Sequence, residues 1–168
     1  MRRTRLTLPL FAGLLAASLI GCETSMNVPT AEQVESVFLY DGELGAEIMG
    51  NVAEVRIAQP AAQLRRGGTL WAKVGPYIFL FSQETRTLFD TYNGLAAVRV
   101  ITTGPGEDEV ARAQLHRDQL NGITWGYALT ASGRARRDGS TRPSRIEELV
   151  RFGEEHTEFK YAEEYAGS

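Results

Sequence analysis

Two histidines offer the side chains best suited to acid–base chemistry in this sequence. His116 stands two positions before Asp118, and a histidine paired with a carboxylate can serve as an oriented general base. Catalysis by such a base also needs a nucleophile and an oxyanion site, and the chain contains no Gly-x-Ser-x-Gly elbow or comparable motif. We therefore expect His116 to be an exposed residue at a strand end, and we predict no catalytic residues.

The second histidine lies in an acidic stretch that could in principle hold a metal ion. His156 is flanked by Glu154, Glu155 and Glu158, but the chain lacks the paired His-x-His and His-x-x-x-His spacings of zinc sites. A solvated, acidic helix end explains the same residues. The glycine pair Gly104 and Gly106 lacks the third glycine of a dinucleotide loop. We therefore predict no metal and no cofactor.

A separation of charge marks the C-terminal third of the chain. Six arginines fall within eighteen residues: Arg134, Arg136, Arg137, Arg142, Arg145 and Arg151. The stretch 153–168 then carries five glutamates against Lys160 alone. One interpretation is a basic surface for anionic headgroups or an acidic envelope protein. The other, which we favour, is that the arginine segment and the glutamate tail pair with each other.

Four aromatic residues, Trp71, Tyr77, Phe79 and Phe81, are close enough in sequence to line a ligand pocket. If this stretch is a strand, then Tyr77, Phe79 and Phe81 share one face, because side chains alternate along a strand. Such a face belongs to a core more often than to a cavity. We therefore expect Tyr77, Phe79 and Phe81 to pack in the core.

The N-terminus has the layout of a secretory signal. Three arginines in the first five residues precede the apolar run 6–20, LTLPLFAGLLAASLI. This run is shorter than the ~20 apolar residues that cross a bilayer as a helix. Cys22 follows it and is the only cysteine of the chain, so no disulfide can form within it.

The residues Leu19-Ile20-Gly21-Cys22 resemble the lipobox of bacterial lipoproteins. The resemblance implies that the Cys22 thiol carries a diacylglyceryl group, that the signal 1–21 is removed, and that the protein is anchored in a membrane by lipid. Several acyl chains on one residue hold a protein on a bilayer far longer than one chain does. Glu23, where inner-membrane lipoproteins tend to have aspartate, favours the outer membrane, facing the periplasm.

Composition limits the role of the mature chain. Removal of residues 1–21 takes away three arginines and leaves 15 basic against 21 acidic residues, a formal net charge of −6. This balance argues against nucleic-acid binding. We predict a tether over residues 22–30 and a single globular domain over residues 31–168.

Pattern along the domain predicts strands over 52–57, 69–74, 77–82 and 95–103, the last of them central. The Gly75-Pro76 pair interrupts the second and third of these. A helix is predicted from Ser82, which can cap it, to Asn93-Gly94. Two helices follow after Asp118 and Ser144, and residues 157–165 suggest an edge strand. Residues 31–49 and 109–117 fit a helix or a strand; Thr30 and Gln33 could form a capping box.

These elements predict an α+β fold, with a largely antiparallel sheet of four or five strands, one mid-chain helix and two C-terminal helices. A mostly β sandwich with a helical C-terminal tail is the alternative. For function, the sequence favours a non-catalytic envelope lipoprotein with a structural or interaction role. A small lipid-anchored enzyme or ligand-binding protein, with a site assembled only in the fold, is the alternative.

Overall fold

The structure is a computed structural model that describes residues 26–166, apart from the side chains of residues 66 and 67. Its helices are α1 (Ala31–Val37), α2 (Ala61–Leu80), α3 (Gln83–Thr91), α4 (Gly122–Asp138), α5 (Ser144–His156) and α6 (Glu163–Ala166). Its strands are β1 (Leu44–Met49), β2 (Val52–Ala58), β3 (Ala97–Thr103), β4 (Glu109–His116) and β5 (Glu158–Tyr161).

The five strands form one sheet in the order β1-β2-β3-β4-β5. Only the central β2–β3 pair is parallel, because α2 and α3 carry the chain back across the sheet between these strands. The other three pairs are antiparallel. The α+β class and the largely antiparallel sheet are therefore confirmed.

The two faces of the sheet differ in polarity. Alternate side chains of the central strands, such as Val55 on β2 and Val100 on β3, are fully buried in the core beneath the helices. Their neighbours on the other face are mostly polar, including Glu54, Arg99 and Gln114, which lie side by side across β2, β3 and β4. This alternation is the period-two pattern of a sheet with one face in the core.

Several local predictions are confirmed. The Thr30–Gln33 capping box forms and opens α1, and the ambiguous stretch after it becomes β1. The Ser82 hydroxyl accepts a hydrogen bond from the Thr85 amide and caps α3. Residues 109–116 form a strand, and the C-terminal tail supplies β5 at the sheet edge.

The strands predicted over 69–74 and 77–82 are wrong, because residues 69–80 belong to α2 and residues 81 and 82 connect it to α3. Pro76 lies inside this helix, and the helix breaks at Gly68, whose φ of 53° is readily available only to glycine. Tyr77 and Phe81, four residues apart, are both fully buried. Core packing at helical spacing thus outweighs the loss of one backbone donor at proline.

The two ends of the sheet lie next to different parts of the chain. We call the tether end the one where β2 and β3 begin; it includes Asn27, Asn93-Gly94 and the start of α4. We call the pocket end the one where β2 and β3 finish. β2 has seven residues, so the two ends lie about 20 Å apart at ~3.3 Å per residue.

Candidate ligand-binding site

His116 does not form the predicted pair with Asp118. Its Nε2 atom lies 3.3 Å from the Glu158 carboxylate on the neighbouring strand β5 and 3.1 Å from the Gln114 amide. The His116 side chain is 42% exposed and that of Glu158 is 75% exposed. The histidine is thus an exposed strand-end residue, as expected, and this pair has no water-excluding cleft of the kind a general base uses.

Arg117, which lies between His116 and Asp118 in the sequence, has a structural role. Its guanidinium donates hydrogen bonds to the carbonyls of Leu95, Phe89 and Tyr92, and it lies over the Phe89 ring. These carbonyls belong to the end of α3 and the turn that follows it. Arg117 therefore fixes the connection between α3 and β3 at the tether end.

His156 also has a structural environment. Its Nδ1 atom lies 2.9 Å from the Phe152 carbonyl, and its ring stacks on the Phe152 ring. Within residues 26–166, no three histidine, cysteine, aspartate or glutamate side chains are grouped so that they could hold a metal ion.

The six arginines do not pair with the glutamate tail in the way we favoured. In the described part of the chain, their ion pairs stay within the arginine segment: Arg145 with Glu148 at 3.1 Å and Arg137 with Asp138 at 3.3 Å. Arg134, Arg142 and Arg151 are exposed. Arg136 instead donates to the Ile78 carbonyl at 2.8 Å and lies over the Phe79 ring.

Arg136 lines a pocket at the pocket end of the sheet. This pocket has a volume of about 260 Å³ and is lined mainly by apolar surface. Its walls come from the loop after α1, the end of β2 and the middle of α2, with these side chains: Leu39, Tyr40, Ile57, Trp71, Ile78 and Phe79. The volume is close to the lower end of the range for small-ligand sites.

Helical spacing explains the composition of the α2 wall. Trp71, Gly75, Ile78 and Phe79 follow the i, i+4, i+7, i+8 spacing of one helix face. Tyr77 lies on the face that packs into the core. The expected core face is thus fully buried at Tyr77 and Phe81, whereas Phe79 is only partly buried against the core and lines the pocket with Trp71.

Gln59 is the most unusual residue of this pocket. It is only 6% exposed, and its Oε1 atom has no hydrogen-bond partner among the described residues. Its Nε2 atom donates to the Trp71 carbonyl over a long 3.4 Å. Gly75 permits this close approach to α2, because a Cβ atom there would lie 2.2 Å from Gln59 Nε2. A buried amide oxygen without a partner costs about 1–3 kcal/mol.

The rim of the pocket combines polar and apolar groups. The Tyr40 hydroxyl donates to the Ala58 carbonyl at 2.9 Å, and burial raises the pKa of Tyr40, so this phenol stays neutral. Leu39 next to it is 87% exposed, which leaves a large apolar side chain in water at the mouth. Arg136 supplies the positive charge at the rim.

Sequence reasoning identified part of this site and missed the rest. Trp71 and Phe79 were considered for a pocket, and Arg136 belonged to the candidate basic surface. Gln59, Leu39 and Tyr40 were missed. Gln59 follows β2 directly, but only the fold reveals that α2 returns over it, and no local pattern carries that information.

The tether end has its own exposed apolar residues. Met26 is 79% exposed and Ile123 is 86% exposed, and Met49 at the β1–β2 turn is also exposed. The chain joins the domain here, because the Asn27 amide donates to Asn93 Oδ1 and the Gly94 amide donates to the Asn27 carbonyl, each at 2.8 Å. The last residues of the predicted tether thus lie against the domain.

Cys22 and the signal 1–21 lie outside the described residues. Over residues 26–166, none of the helices has the length and hydropathy needed to cross a bilayer. Comparisons of the chain with models of protein families, with curated proteins and with solved structures find no match. What the protein does is therefore inferred from its own residues, above all those of the pocket and of the tether end.

Proposed function

We propose that the chain is a bacterial envelope lipoprotein, anchored through lipid on Cys22, whose domain binds a small ligand without catalysis. The lipobox-like residues Leu19-Ile20-Gly21-Cys22 support the anchor. The observation that carries the binding role is the apolar pocket that contains the buried Gln59 side chain, whose Oε1 atom has no hydrogen-bond partner among the described residues. Ligand sites typically combine an apolar lining with a few placed polar groups.

The residues at the tether end suggest how the domain is oriented on the membrane. Asn27 lies five positions after Cys22, so the tether end lies within ~17 Å of the lipidated residue at ~3.4 Å per extended residue. The exposed side chains of Met26, Met49 and Ile123 would then face the lipid. The pocket, at the other end of β2, would open away from the bilayer towards the periplasm.

Binding is favoured over catalysis by the chemistry of the available groups. The described histidines lie away from the pocket, and the polar side chains that line it are amides, one phenol and one guanidinium. Amide and guanidinium groups recognise ligands by hydrogen bonds and charge. A nucleophile paired with a base would be needed for covalent catalysis.

The anchor is tested by a substitution in the lipobox. Cys22→Ala removes the only thiol, so labelling with radioactive palmitate should be lost and the protein should leave the lipoprotein fraction of the membrane. Thr24→Ala, two positions later, is the matched control and should retain both label and location. Palmitate labelling of the Cys22→Ala variant would contradict the proposed lipid anchor.

A further inference from the structure

We propose that the pocket takes an amphipathic carboxylate, with the apolar body of the ligand among the aromatic side chains and its carboxylate on Arg136. This inference rests on the proposed binding role of the pocket and adds the chemical class of the ligand. Two independent features support it: the shape and polarity of the walls, and the state of the arginine at the rim.

The walls suit an apolar body of modest size. Tyr40 and Phe79 meet edge to face, with ring centroids 5.4 Å apart, and form one corner of the pocket beside Ile78. Trp71 lies two helical turns before Phe79 on the same face of α2. Aromatic walls of this kind favour a flat or extended apolar group. The exposed Leu39 at the mouth would lose water contact when a ligand covers it.

The charge at the rim suits an anionic head group. Arg137 and Arg145 each have a carboxylate partner, whereas Arg136 has no carboxylate within ion-pair distance in the described part of the chain. One of its nitrogens, Nη2, donates to the Ile78 carbonyl and holds the side chain in place. Arginine has five N–H donors, so the remaining ones can bind both oxygens of a carboxylate.

The position of the guanidinium is fixed by more than one contact. It lies over the Phe79 ring at 5.6 Å, and the Ile78 carbonyl that it binds also accepts a hydrogen bond from the Ser132 hydroxyl. A cation held in this way loses less conformational entropy when a ligand binds. Arg136 is therefore held at the rim by the Ile78 carbonyl and the Phe79 ring, although it is exposed like the arginines beside it.

The test compares a carboxylate with its neutral isostere. The lipidated full chain is placed in nanodiscs, and binding of 3-phenylpropanoate and 3-phenylpropanamide is followed by saturation-transfer difference NMR, with empty nanodiscs as the blank. The two probes have the same size and shape and differ in charge. We expect the carboxylate to bind about tenfold more tightly, as one charge-assisted contact suggests.

Substitutions at the rim separate charge from shape. Arg136→Gln should bring the affinities for the two probes to within about twofold of each other, whereas the matched variant Arg137→Gln on the same helix should keep the difference. If Arg136→Gln disturbs the fold, Leu39→Asp gives a second test, because this exposed position tolerates a charge. Both probes lose the apolar contact with Leu39, and the new carboxylate at the mouth should weaken binding of the anionic probe more than binding of the amide.

The outcomes distinguish this inference from the function on which it rests. Equal binding of both probes to the unmodified protein, or a preference that survives in Arg136→Gln, would overturn the assignment of a carboxylate ligand while the pocket remains a binding site. If neither probe binds, both the ligand class and the proposed binding role of the pocket fail. Lipid labelling of Cys22 is independent of all three results.

Discussion

At the tether end of the sheet the polar groups are hydrogen-bonded, whereas at the pocket end one buried side-chain oxygen has no partner among the described residues. Arg117 binds three backbone carbonyls, and Asn27 is held on both sides by Asn93 and Gly94. At the pocket end, Gln59 Oε1 is buried and has no partner within residues 26–166, and the exposed Leu39 lines the same pocket. One end thus favours stability, and the other gives up stability where a ligand would bind.

The difference has a physical consequence for how changes at the two ends should behave. Removal of a side chain that satisfies several backbone groups leaves those groups without partners and destabilises the fold. Removal of an unpaired polar group from an apolar pocket relieves a cost that the folded protein already carries. Loss of the Arg117 guanidinium and loss of the Gln59 amide oxygen should therefore change the free energy of unfolding in opposite directions.

The largest effect is expected at Arg117. Arg117→Met keeps an apolar stem over the Phe89 ring but removes the guanidinium donor from the carbonyls of Leu95, Phe89 and Tyr92, of which the Tyr92 carbonyl keeps the Leu95 amide. We expect a loss of about 3 kcal/mol in the free energy of unfolding, measured by urea denaturation. Arg112→Met, on the open face of the sheet, is the matched control; its contact with Glu109 is a surface pair worth at most ~1 kcal/mol. Equal losses in both variants would contradict the role of Arg117.

The next largest effect is expected at Tyr161, which belongs to a row of hydrogen-bonded side chains at the pocket end. The Tyr161 hydroxyl lies 2.7 Å from that of Tyr77 and donates to Glu154 at 3.0 Å. Tyr161 pairs with Ala111 across the sheet, in the same row as Ile57 of the pocket wall. Tyr161→Phe should lower the free energy of unfolding by about 1–2 kcal/mol at neutral pH.

The hydroxyls of Tyr77 and Tyr161 should make the free energy of unfolding fall as the pH becomes alkaline. Burial raises the pKa of Tyr77 and of Tyr161 above the ordinary value of 10.0. A group whose pKa is raised on folding contributes stability that is fully present below pH 10 and is lost as the pH rises towards the folded value. Urea denaturation from pH 8 to pH 11 should show this loss above pH 10, with a smaller slope in Tyr161→Phe. A slope unchanged by the substitution would contradict the assignment.

A smaller effect of opposite sign is expected at Gln59. Gln59→Met keeps the length of the side chain and removes the unpaired oxygen, at the loss of one long hydrogen bond to Trp71. We expect the midpoint of thermal unfolding to rise, with a gain of about 1 kcal/mol in the free energy of unfolding. Gln119→Met, at an exposed position of the tether end, is the matched control and should change stability little. A destabilised Gln59→Met variant would mean that the amide is structural.

The two ends also differ in how much of them could be predicted from sequence. Near the tether end, the signals are local, as in the capping of α1 by Thr30 with Gln33; the capping of α3 by Ser82 is a local signal too. Such motifs act over three or four residues and can be read directly. The lipobox-like sequence Leu19-Ile20-Gly21-Cys22, from which the anchor is predicted, is local in the same way, since cleavage and lipidation depend on a few adjacent residues.

The pocket end depends on contacts between residues far apart in the chain. Gly75-Pro76 predicted a break between two strands, yet burial of Tyr77 and Phe81 against the core makes this segment a helix with proline inside it. Only that helix brings Trp71 and Phe79 over Gln59 and next to Arg136. His116 gives the same lesson, because its carboxylate neighbour is Glu158 across the β4–β5 pair and not Asp118.

The smallest change in stability is expected from a pair of substitutions that compares the two ends directly. Met49→Cys at the tether end and Leu39→Cys at the pocket end both replace exposed apolar side chains, so each should change the free energy of unfolding by less than ~0.5 kcal/mol.

If Cys22 is lipidated, the new cysteine is the only free thiol and can carry a fluorophore. In vesicles with a lipid-borne quencher, the label at residue 49 should be quenched much more strongly than the label at residue 39. Similar quenching at both positions would show that the domain has no fixed orientation on the membrane, and stronger quenching at residue 39 would place the pocket against the lipid, where water-soluble ligands have no access.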